Sequence, residues 1–200
     1  MSFGTDVRKV RDPSLPYGRR INALAQCVGQ YAPIGFQATF GYLGQVAGRF
    51  HHEEAALLRA VGALDASRRL WLAEMRAYAV RRTEAKRRGH RIPHPRDGLP
   101  RGDVWYGDRS AAARFALGYV LRRTAAGRPV RGRDADPDVL ALASAVLDGD
   151  TRWERASDLR RRFGQVRRDT RAADDWSGWS RAGASLWVLH LIAEASRPPG

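Results

Sequence analysis

The sequence predicts an all-α protein: a single compact domain of six or seven helices with a long central loop. Three observations carry that expectation. Apolar residues recur at three-and-four spacing along most of the chain, the signature of helices with one buried face. No stretch alternates with period two, as a half-buried strand would. Capping signals such as Asp136-Pro137 open several of the periodic segments. No internal repeat is visible, and no motif is specific enough to place the chain in a family.

The expected elements run as follows. Residues 1–16 are a flexible arm, because Asp12-Pro13 and Leu15-Pro16 interrupt regular structure. The helical domain then spans 17–196. Its first helix covers 17–31, with Ile21, Leu24, Val28 and Tyr31 on one face and Cys27 beside them as a small buried hydrophobe. A second covers 36–50 through Phe36, Phe40 and Leu43, despite Gly35, Gly41, Gly44 and Gly48.

The central stretch, 51–91, is either one helix of nearly forty residues or two shorter ones. Leu57, Val61, Leu64, Trp71, Met75 and Tyr78 share a face. The weak point is 62–67, where Gly62 and Asp65-Ala66-Ser67 fall and where Arg68 interrupts the stripe. After Tyr78 the apolar face gives out into Arg81, Arg82, Lys86, Arg87, Arg88 and Arg91, with Gly89 as C-cap.

The segment 89–108 holds Pro93, Pro95 and Pro100 and is a long loop, the natural place for any subdivision. Trp105 and Tyr106 anchor its end to the core. Ser110 is the expected N-cap of a helix reaching about residue 126, and 127–135 is a basic linker. Asp136 caps a short buried helix that stops at Gly149. Asp150-Thr151 opens the next, with Trp153, Leu159 and Phe163 on its inner side. A last helix over 176–196 buries Trp179, Leu186, Val188 or Leu189, and Ile192, and 197–200 is frayed.

Composition narrows the function. The chain has 200 residues, 44% apolar, which suits one domain with a real core. No run approaches the roughly 18 apolar residues of a membrane span, and the N-terminus lacks the apolar middle of a secretory signal. Cys27 is the only cysteine, which excludes an internal disulfide and a cysteine-based zinc cluster. A cytoplasmic protein without a membrane partner is expected. The net charge is +14 and the pI 11.2, which favours polyanions: nucleic acid, or an acidic protein partner. Lys9 and Lys86 are the only lysines among 35 basic residues. That bias, with abundant Ala, Gly and Asp, is what a GC-rich bacterial genome produces, so part of the charge reflects codon usage.

Catalytic and metal motifs are absent from the pattern, and no cofactor is expected. His51-His52-Glu53-Glu54 lacks the second histidine of H-E-x-x-H; its acidic pair suits a first helical turn. His90 and His94 have zinc-finger spacing without the cysteines, and His190 sits in an apolar run as a core histidine. Neither lysine follows a glycine, so there is no P-loop. Acidic pairs such as Asp148/Asp150 and Asp174/Asp175 read as helix caps. The expectation is a protein that binds rather than an enzyme, nucleic-acid-associated and of a regulatory or mobile-element-maintenance type. The alternative is a helical adaptor or structural protein.

Two basic patches would contact phosphate: Arg81, Arg82, Lys86, Arg87, Arg88 and Arg91, and then Arg160, Arg161, Arg167, Arg168 and Arg171. The second patch can be laid on a helix-turn-helix over 156–175 turning at Gly164. A single solvated Arg-rich helix is the preferred reading of the same residues. Trp176 and Trp179 form a protein-interaction hot spot if they lie at the surface.

Overall fold

Among the residues that the computed structural model describes, 2–93, 98–128, 134–150 and 153–197, there are eight helices and no strand. The expectations placed on His94, most of the 127–135 linker, Thr151, the side chain of Trp153 and residues 198–200 lie outside the described residues. The chain divides into two compact units, Met1–Gly107 and Asp108–Gly200. The first holds α1 (Phe3–Arg11), α2 (Tyr17–Gln30), α3 (Phe36–Ala47) and α4 (Glu54–Arg87). The second holds α5 (Arg109–Ala125), α6 (Pro137–Leu147), α7 (Trp153–Ala172) and α8 (Trp176–Ala195). No helix of the described residues is long and apolar enough to cross a membrane.

The eighth helix is α1, where a flexible arm was expected. Ser2 caps it by accepting a hydrogen bond from the Thr5 amide, and Phe3, Val7 and Val10 bury one face against α2 and α4. The prolines end this helix and shape the link to α2; they do not unfold what precedes them. Asp6, only 1% exposed, is held by Lys9 Nζ at 3.0 Å and Gln30 Nε2 at 2.8 Å. Burial opposes its ionisation, but these two donors outweigh it and hold the carboxyl below its usual pKa.

The first unit is built on α4, whose Leu57, Val61 and Leu64 are fully buried with Leu24, Val28 and Leu43 of the preceding helices. Each such side chain contributes about 1.5–3 kcal/mol by leaving water. The predicted weak point at 62–67 does not break the helix. Ser67 is buried and bonded, its Oγ accepting from the Tyr106 amide at 2.9 Å and lying 3.0 Å from Tyr31 Oη. Arg68 does not interrupt packing either, because its guanidinium covers the Phe3 ring at 4.4 Å. One side chain thus continues the stripe by polarity and the next by its flat cation.

Polar anchors fix the remaining junctions of this unit. Buried Arg20 donates to Val10 O at 2.9 Å and pairs with Glu54 at 2.8 Å. Arg59 donates twice to Ala47 O, closing the end of α3, where Gly48 turns the chain at φ +90. Cys27 is completely buried; burial first, then the charges of Asp6 and Asp65, push its thiol up to about 12. It is a packing residue, as its position suggested. The end of the long loop is anchored as expected: Val104, Trp105 and Tyr106 are buried, and Trp105 meets Tyr42 edge-on at 5.0 Å.

In the second unit, α8 supplies the densest core through Val188, Leu189, Leu191 and Ile192. It packs against α5, α6 and α7. The small residues Ala112, Ala113 and Ala116 line the buried face of α5. The cap of α5 is Asp108, accepting from the Ala111 amide at 2.9 Å, not Ser110. Ser110 is already the second residue of the helix, and its hydroxyl donates to Ala195 O at 2.9 Å. Asp136 caps α6 as expected, and Arg114 closes the other end by donating to Val146 O and Leu147 O.

Candidate nucleic-acid interface

The second basic patch takes its shape from the spacing of apolar residues on α7. Ala156, Leu159 and Phe163 are buried against the rest of the unit, and Thr170 continues that side half-buried. At 100° per residue Arg160, Arg167 and Arg171 fall along one flank of this stripe and Arg161 and Arg168 on the side opposite it, all exposed. Arg160 donates to Leu189 O at 3.3 Å and Arg168 to Gln165, which orients both without neutralising either. Arg161 pairs with Asp158. Ser157, Gly164 and Gln165 lie with Arg160, Arg161 and Arg168 around a shallow groove.

The other flank of α7 is different. Arg155 and Arg162 face Asp138 of α6 at 3.8 and 4.0 Å. Arg162 and Phe163 border a cleft of about 630 Å³ whose walls also carry Asp134, Asp136 and Asp175. Those carboxylates repel anions, so the anion-attracting side of this helix is the one bearing Arg160, Arg168 and Arg171.

α7 runs unbroken through Gly164, and the helix-turn-helix over 156–175 is not formed. A single glycine costs a helix interior only about 1 kcal/mol relative to alanine, and the apolar stripe continues across it. The chain turns instead at 173–175, where Asp174 adopts φ 54, a left-handed conformation that Asp tolerates better than most residues. Asp175 then caps α8 by accepting from the Gly178 amide at 2.9 Å. Gly178 is required there for space: a Cβ would lie 2.8 Å from Thr170 Cγ2 and 2.2 Å from Asp175 Oδ2.

This turn brings the tryptophans to the arginines. The guanidinium of Arg167 lies over the Trp179 ring at 4.5 Å. Trp176 meets Trp179 edge-on, with ring centroids 6.1 Å apart and planes at 68°. Trp179 is half-buried by these neighbours, whereas Trp176 is 61% exposed. Sequence patterning gave no sign that residues 167 and 179 would touch, because that depends on where the chain reverses.

The first patch lies in the other unit, on the last turns of α4 and just beyond it. Arg81, Lys86, Arg87, Arg88 and Arg91 are exposed, and no ion pair is formed by them among the described residues. Arg82 differs: it is half-buried and donates to Arg91 O at 2.8 Å, tying the helix to the chain that follows. No group of three or more metal-binding side chains occurs among the described residues. His51 packs its ring against Phe50 at 4.4 Å, and His190 is buried in α8. No family model matches the chain, and neither a curated protein nor a solved structure does.

Proposed function

We propose that the protein binds nucleic acid in the bacterial cytoplasm and acts by association rather than catalysis, with arginines as its phosphate contacts. One observation carries the reading. Arg160, Arg161, Arg167, Arg168 and Arg171 are exposed on one flank and the outer side of one continuous helix, and of the five only Arg161 has a carboxylate partner among the described residues. Cations held in register along about 17 Å of helix can track successive phosphates without reading bases. The net charge of +14 acts in the same direction by drawing polyanions to the whole molecule. Arg81, Lys86, Arg87, Arg88 and Arg91 supply a second set of phosphate contacts from the end of α4.

A salt-titrated shift assay with duplex DNA, single-stranded DNA and RNA tests this. Four phosphate contacts lower affinity about 50- to 150-fold between roughly 50 and 200 mM salt. The variant R160E/R168E/R171E is expected to lose retention at low salt while keeping its helical signal. Retention that ignores salt, or that survives in this variant, would leave the helical-adaptor reading in its place.

A further inference from the structure

We propose that the corner where α7 meets α8 is a stacking platform for an unpaired base, so that the polymer held by α7 is single-stranded. This rests on the reading of α7 as a phosphate-binding face and adds to it a choice between duplex and single strand. Trp176 is the largest exposed aromatic residue of the described chain, and its ring lies against that of Trp179. The edge of Trp179 supports it, Arg167 in turn covers Trp179, and the Asp175 cap and the close Gly178–Thr170 approach hold the start of α8. The result is an exposed indole paired with a second ring that carries Arg167, at the end of α7 where Arg171 also lies.

That combination has a specific chemical use. Bases inside a duplex are stacked on one another and present only their edges and the sugar-phosphate backbone, so an indole face has nothing to stack on. In a single strand the base faces are free, and aromatic stacking with nearby cations is the usual way such strands are held. Arg167 already occupies one face of Trp179, which leaves the Trp176 ring for a base. Asp174 and Asp175 adjoin the ring in sequence, and their charge repels a phosphate placed there. The backbone is therefore expected to run along Arg160, Arg168 and Arg171 with the base turned toward the indole.

The experiment uses the full chain with labelled oligothymidylate and a labelled duplex of equal length, read by fluorescence anisotropy at fixed salt. Stacking of one base predicts that W176A weakens oligothymidylate binding about 5- to 150-fold. Duplex binding should stay within about twofold, and W176F should recover most of the loss because a phenyl ring still stacks. R168E/R171E should weaken both probes. A W176A protein that binds oligothymidylate like the parent overturns the platform and leaves the α7 reading intact. Equal losses on both probes also overturn it. No binding of either probe by the parent overturns the platform and the α7 reading together, and makes the exposed indole a candidate contact for a protein partner.

Discussion

On α4 the fully buried stripe ends at Ser67, half-buried Trp71, Met75 and Tyr78 follow, and only then do the cations begin. On α7 the buried Ala156, Leu159 and Phe163 run beneath the same turns that carry arginine. Both helices are long, basic and unbroken by an internal glycine. Yet in α4 the helical positions of Arg81, Arg82, Lys86, Arg87 and Arg88 point to every side of the rod, while in α7 the stripe divides the arginines, with Arg155 and Arg162 on the flank facing Asp138 and the other five away from it. Composition alone cannot make that distinction. A charge-rich helix acquires a direction only where an apolar stripe continues underneath it.

The comparison can be broken most sharply at the stripe itself. Phe163→Ala should cost about 3–5 kcal/mol, measured by chemical denaturation, because the ring is only 7% exposed and lies directly beneath the arginines. Val80→Ala on the tail of α4, where the side chain is 59% exposed, should change stability by less than about 0.5 kcal/mol. A large cost at Val80 would mean that the tail has a packed side as well.

A smaller effect is expected at the corner that only α7 possesses. Gly178→Ala places a methyl against Thr170 and the Asp175 cap, and overpacking of this kind costs about 1–3 kcal/mol. Thermal melts of the variant should show it, together with altered tryptophan fluorescence as Trp176 and Trp179 shift. An unchanged melt would show that the corner yields easily and does not brace the indole. The smallest effect concerns the inward flank: Asp138→Asn removes the partner of Arg155 and Arg162, both exposed pairs, and should cost less than about 1 kcal/mol. A greater loss would make those contacts structural.

Much of the fold was legible because caps and periodicity are local. Asp136-Pro137 marked α6, the apolar spacing marked α2, and Trp105 with Tyr106 marked the anchored end of the loop. The errors fell where a local signal was given too long a reach. The prolines at 13 and 16 end α1 but do not prevent it, since the burial of Phe3, Val7 and Val10 against α2 and α4 is a tertiary effect. Ser67 resembled a helix breaker because its two partners, Tyr31 and Tyr106, are distant in sequence. Gly164 resembled a turn, whereas the real reversal rests on Asp174 in a left-handed conformation and on a glycine four residues later that admits Thr170. The arginines could be named from the sequence, but not which of them face a carboxylate, a ring or open water.

The hydroxyl of Ser67 has one further consequence. Its oxygen accepts from the Tyr106 amide at 2.9 Å and lies 3.0 Å from Tyr31 Oη, which in turn lies 3.4 Å from Val104 O. These linked contacts leave the loop at residue 106 and return to it at 104, by way of α4 and the residue that caps α2. Successive hydrogen bonds of this kind polarise one another, so the loop cannot peel away one bond at a time; it is latched to the middle of α4 as a unit.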